Sequence, residues 1–186
     1  LILTDEKGPL DTLVQSNHLV PDLLRVLRSL DYDVDAVYHG TSVLSYVAQL
    51  DEYVGRLVSD GTVPTMLSLA ETHLDNEDIV WVVRQHRRLC VHKHAITTPV
   101  PQALSVVLNL SVAADGVLAA QQWGGVKLLL KALNAYTESK ATLECLLPLA
   151  LQWCESAGMQ DDMREQAMGP LLELGGAQLE AGLEDE

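Results

Sequence analysis

A short apolar run opened by a turn recurs along this chain, and the spacing of its copies constrains the fold more than any other feature. The segment from Ser16 to Leu27 aligns with that from Ser59 to Ala70 at an offset of 43 residues, bringing Val20-Pro21 onto Val63-Pro64. A third copy, Gln122 to Leu133, follows after a further 63, and a fourth, Glu165 to Leu174, after 43 again. The same offsets relate other segments. Asp35–Tyr38 falls on Asp78–Trp81, and Thr41–Val47 falls on Leu104–Leu110 and then on Leu147–Trp153. Independent segments sharing one set of offsets mark a repeat, and a period near 43 is that of paired or tripled helices stacked in series.

The chemistry of each copy is legible. A polar or glycine turn, such as Asp60-Gly61 or Gly124-Gly125, ends one helix and supplies positive φ at little cost. Pro21, Pro64 and Pro170 then sit in a first turn, where a missing N–H breaks no helical bond. An apolar helix follows, then an acidic turn (Asp31, Asp33 and Asp35; Asp75, Glu77 and Asp78), then a longer helix. Apolar residues recur at three and four through Leu23–Leu30, Val43–Val47, Leu128–Leu133 and Leu146–Ala150, and strand signals are scarce. Phe is absent and aromatics make up 4% of the chain, so Leu, Val and Ala must fill the core. The fold class expected is all-α. One such unit cannot bury its own faces, so neighbours must stack.

These motifs resemble the armadillo-repeat family. Its turn and helix are similar to Gly61-Thr-Val-Pro-Thr-Met-Leu-Ser-Leu69, and the end of its long inner helix to Ala103-Leu-Ser-Val-Val-Leu-Asn-Leu-Ser-Val-Ala113. The resemblance covers residues 12–180; a HEAT-type stack of helix pairs is the other reading of the same period. It implies a right-handed α-solenoid of three to four repeats, bounded near 12–57, 58–120, 121–164 and a partial 165–180. It also implies that the third helices line a concave groove that holds a peptide or protein.

The 63-residue interval is twenty too long. The excess, 84–103, is polar at the front and proline-punctuated at the back, and carries Arg84, Arg87, Arg88 and Lys93. A surface insertion is cheap in loop entropy, so a solvated extension of the second helix is one reading. A basic loop that docks an acidic partner, a phosphate or the chain's own acidic tail is the other. Residues 175–186 read as that tail, either a solubilising cap or a contact for a basic partner.

Charge and chemistry narrow the function. Twenty-six acids against twelve Lys and Arg give a net charge of −14, the wrong sign for a surface that binds nucleic acid through its phosphates. No apolar run is long enough to span a bilayer. The chain opens on Leu1 and is interrupted by Asp5, Glu6 and Lys7, the pattern of an internal piece of a longer protein. Three cysteines, Cys90, Cys145 and Cys154, form no framework and suit a reducing compartment. Cys90, His92 and His94, with His86, offer thiolate and imidazole, but no second ligand pair stands at conventional spacing, so no metal is expected. Neither a phosphate loop nor a nucleophile elbow occurs, and no catalytic residue or cofactor is expected.

What remains is a non-enzymatic scaffold or adaptor, part of a hetero-complex in the cytoplasm, cytoskeleton or cilium, with the nucleus open. A co-chaperone or regulatory subunit that clamps a folded partner is the alternative. Tyr46, Asn109 and Gln152 share one aligned position, which in the armadillo family often carries an Asn that bonds the partner's backbone. Asn109 matches in kind, Gln152 substitutes and Tyr46 departs. Nuclear-import adaptors pair that Asn with a Trp four residues earlier; Ser105 and Pro148 stand there instead, so the resemblance does not extend to that mode.

Overall fold

The computed structural model describes residues 18–74, 99–137 and 140–166, and every regular element among them is an α-helix. In chain order these are α1 (Leu19–Ser29), α2 (Val34–Val47), α3 (Asp51–Ser59), α4 (Thr62–Leu74), α5 (Pro99–Leu110), α6 (Ala114–Gln122), α7 (Gly125–Ala135), α8 (Lys140–Glu155) and α9 (Gln160–Gln166). The fold is all-α. No described helix is long and apolar enough to cross a membrane.

The helices recur in a fixed order. A short one (α3, α6) leads through a tight turn to a second (α4, α7), and a third follows (α5, α8). The turns are built alike. Asp60 N–H donates to the Arg56 carbonyl and Gly61 N–H to that of Val58; Trp123 and Gly124 make the same bonds to Ala119 and Gln121. Gly61 and Gly124 have φ of 81° and 70°, the left-handed region where a Cβ would be strained. Pro64 sits in the first turn of α4, where its absent N–H has no helical acceptor to disappoint. At α2 the acidic turn supplies the start signal: Asp33 accepts from Ala36 N–H at 2.9 Å.

Equivalent helices pack side by side. The second helices form one row, α1–α4–α7; the third helices form another, α2–α5–α8; α3 lies against α6. The short α9 packs on α7 and α8 as α6 packs on α4 and α5. The central helix α5 is enclosed by α2, α4 and α8, and Val100, Ala103, Leu104, Val106, Val107 and Leu110 are all buried. Trp153 on α8 is buried too, and its indole N–H donates to Ser111 Oγ at 3.1 Å, tying α8 to the end of α5.

One boundary differs from the sequence expectation. Helix α5 takes in Pro99–Ala103, the end of the 84–103 excess read above as loop, and Pro99, Val100, Pro101 and Ala103 are buried there. Both prolines fall where the helix has no N–H bonds to lose, so the proline-punctuated end of the long interval starts a helix instead of a loop. The rest of that interval, with Arg84, Arg87, Arg88, Lys93, Cys90, His92 and His94, lies outside the described residues, as do the fourth turn's Met168–Leu174 and the acidic tail.

Candidate partner-binding surface

In the third-helix row α2 and α8 each bury one side and expose the other, whereas α5 between them has no exposed residue and shows only half-buried Gln102, Ser105, Leu108 and Asn109. On α2 the buried set is Val37, Thr41, Leu44 and Val47, and Tyr46 stands out from it, 52% exposed. On α5 the same position is Asn109, half-buried, and on α8 it is Gln152, also half-buried. The three share one aligned position in the sequence, on α2, α5 and α8, and α5 packs against both of the others. Exposed apolar side chains stand close to it in the chain: Val112 just past α5, and Leu147 and Leu151 on α8. Pro148 lies exposed between those two leucines.

Asn109 already has one partner. Its amide Nδ2 donates to the Ser45 carbonyl at 3.4 Å, a long bond that bridges α5 to α2. An Asn amide has a second N–H and a carbonyl oxygen besides, so this bond orients the side chain and leaves both hands of the amide with capacity. Sequence alignment did not find this bridge, because hydrogen bonding between helices 64 residues apart has no local signature.

The second-helix row presents a different surface. A cleft of about 360 Å³ runs beside Arg28, Pro64, Thr65, Ser68 and Trp123, and adjoins one of about 230 Å³ reaching Glu71 and Lys127. Trp123 stands 63% exposed on the α6–α7 turn, where the α3–α4 turn has Asp60. Arg28 donates to Thr65 Oγ1 through Nη2 at 2.7 Å and Nε at 3.1 Å, joining α1 to α4. Lys131 Nζ reaches Glu71 Oε1 at 3.4 Å, joining α7 to α4. Trp123 was missed in the sequence because a Trp in a repeat reads first as core; its place in a glycine turn was the available signal.

His73 has a displaced proton affinity, and it lies on neither surface. It is 1% exposed near Asp31, and burial pushes its pKa below 6.5. The Asp31 backbone and carboxylate pull the other way more weakly, and neither ring nitrogen makes a hydrogen bond of good geometry. Cys154 is a free thiol, partly buried. Among the described residues no three His, Cys, Asp or Glu side chains gather closely enough to hold a metal ion.

Comparison with family models, with curated proteins and with solved structures finds no match to this chain.

Proposed function

We propose that the chain is an armadillo-like α-solenoid that acts as a non-enzymatic scaffold, holding a segment of a partner protein along the row of α2, α5 and α8. The observation that carries this reading is the aligned position shared by Tyr46, Asn109 and Gln152, with the exposed Val112, Leu147 and Leu151 close to it in the chain. Amide side chains beside exposed apolar ones suit an extended peptide, whose backbone needs hydrogen bonds and whose side chains need apolar contact. The repeated short–second–third helix order and the two parallel rows support the solenoid reading. The partner belongs to a hetero-complex in a reducing compartment, cytoplasm or cytoskeleton.

The test is affinity capture quantified by mass spectrometry, with wild type beside two variants. One combines Tyr46→Ala, Asn109→Ala and Leu151→Glu; the other carries Arg87→Glu and Arg88→Glu. A groove-held partner is recovered by wild type and by the arginine variant, and falls at least about ten-fold with the groove variant, the equivalent of roughly 1.4 kcal/mol. A partner lost with the arginine variant and kept by the groove variant overturns the assignment and moves binding to the 84–94 segment.

A further inference from the structure

The turn that carries Trp123 does not need an indole. Asp60 closes α3 where Trp123 closes α6, and the two turns make the same backbone bonds. Nor does the core use it. Trp153 is fully buried, whereas Trp123 is 63% exposed and its indole N–H has no partner among the described residues. It stands between the two clefts of the second-helix row, and Trp123, Pro64 and Ser68 line both. Helices α1, α4 and α7 and the turns beside them supply the remaining walls, all of them described residues.

Each cleft also holds a cation without a counter-charge. Arg28 lines the larger and Lys127 the smaller; both are exposed, and neither forms an ion pair among the described residues. Their neighbours differ: Arg25 is bound to Asp22 at 2.9 Å and Lys131 to Glu71 at 3.4 Å. Arg28 is held in place without being neutralised. Its Nε and Nη2 both donate to Thr65 Oγ1, which itself donates to the Gly61 carbonyl at 2.8 Å. A guanidinium has five N–H donors, and those on Nη1 remain without an acceptor among the described residues. The acids of the clefts are Asp31, near His73, and Glu71, already held by Lys131.

We propose that this double cleft binds an acidic peptide segment with proline between its acids, the proline lying on the Trp123 indole and carboxylates on either side reaching Arg28 and Lys127. A carboxylate matches the planar fork of a guanidinium, and a fork already fixed by Thr65 loses little freedom when it binds. The indole gives an apolar ring a flat platform, and its N–H is available to a peptide carbonyl. A proline-containing segment arrives extended, with its backbone groups unpaired, and docks on aromatic surfaces in that form. The net charge of −14 does not forbid an acidic ligand, because charges beyond about 8 Å are screened at physiological salt and the cations of the clefts are local. The site lies on the second-helix row and is independent of what the third-helix row holds.

Fluorescence anisotropy of a labelled Glu-Glu-Pro-Pro-Glu-Glu peptide, titrated with the 186-residue chain, tests this. Trp123, Arg28, Lys127 and Glu71 are all exposed, so circular dichroism of their variants should remain that of wild type. Wild type should bind saturably, and more weakly as salt rises. Trp123→Ala should lower the affinity at least about ten-fold, as loss of a central aromatic anchor does. Arg28→Gln and Lys127→Gln should each lower it about three-fold, and Glu71→Gln, which removes a carboxylate from the cleft, should raise it about two-fold. The variant that combines Tyr46→Ala, Asn109→Ala and Leu151→Glu, and the one with Arg87→Glu and Arg88→Glu, should bind as wild type does. A wild-type chain that does not bind the peptide overturns the proposal, as does equal binding of a peptide with Lys in place of each Glu. Loss of binding in either of the last two variants with retention in Trp123→Ala also overturns it, and places the acidic segment on the third-helix row or the 84–94 segment.

Discussion

α5 and α8 align at an offset of 43 residues and pack against each other, and the difference between them shows that neighbours, rather than composition, decide what an apolar residue contributes. Both are rich in Leu and Val or Ala, and Leu104 and Leu147 occupy the same register. One is sealed between α2, α4 and α8; the other faces solvent over almost half its surface. The largest expected effect follows from this contrast. Leu104→Ala removes a side chain from a closed core and should destabilise by about 3 kcal/mol, within the range for such cavities. Leu147→Ala, with much of its side chain already hydrated, should cost about 1 kcal/mol. Midpoints of urea unfolding at dilute concentration, with unchanged slopes, read the two values. Equal costs would break the comparison and mean that something covers Leu147. A Leu147→Ala cost that rises with protein concentration would sharpen it, because the cover would then be another copy.

A second contrast lies in the other row, between Leu30, His73 and Tyr136, which share one register across α1, α4 and α7. The central member is a histidine, buried with neither ring nitrogen in a hydrogen bond of good geometry. Its folded pKa lies below the unfolded value near 6.5, so the neutral ring is the form the fold prefers. The unfolded chain therefore binds more protons as pH falls through 6.5 toward the folded value, and stability is full above that window and lost within it. His73→Leu, which places Leu30's side chain type at the central position, should flatten the stability profile between pH 7 and 5. Urea midpoints measured across that range for both proteins check it. An equally steep loss in the variant would assign the acid sensitivity to other groups. Asp31 moderates the effect, since its charge favours the imidazolium, and Asp31→Asn should steepen the wild-type profile.

Most of the fold was legible in the sequence because it is written several times. Gly61 and Gly124 stand at the same offset as the segments around them, and the turns they make share their hydrogen bonds one for one. Tyr46, Asn109 and Gln152 align for the same reason, and the helices that carry them pack in one row. The short helices α3, α6 and α9 were less so. Their few apolar positions, such as Tyr53, Val54 and Leu57, merge with the turn that follows. The start of α5 was misread because prolines signal a loop unless they fall in a first turn, and nothing local marks which turn is first. Two features had no local signal at all. The bridge from Asn109 to Ser45 and the cleft beside Trp123 arise only when units stack, and a repeat shows that stacking occurs without showing which polar atoms meet.

The smallest effect separates two side-chain links between second helices. Arg28 to Thr65 joins α1 to α4 with two bonds in a partly buried setting, whereas Lys131 to Glu71 joins α4 to α7 with both side chains well exposed, 40% and 60%. An exposed pair gains little Coulomb energy in water, orders two long side chains, and is screened by salt beyond a distance of about 8 Å at physiological ionic strength. Glu71→Gln should therefore cost no more than about 0.5 kcal/mol, falling toward zero in high salt. Thr65→Val keeps the shape of the side chain and strands the guanidinium donors, so it should cost about 1 kcal/mol with little dependence on salt. Urea midpoints for both variants at low and high ionic strength distinguish the two links. If Glu71→Gln proves the costlier, the α4–α7 junction depends on its surface charges. The row would then be held differently on its two sides, and Glu71, which lines the cleft beside Trp123, would owe its place there to Lys131.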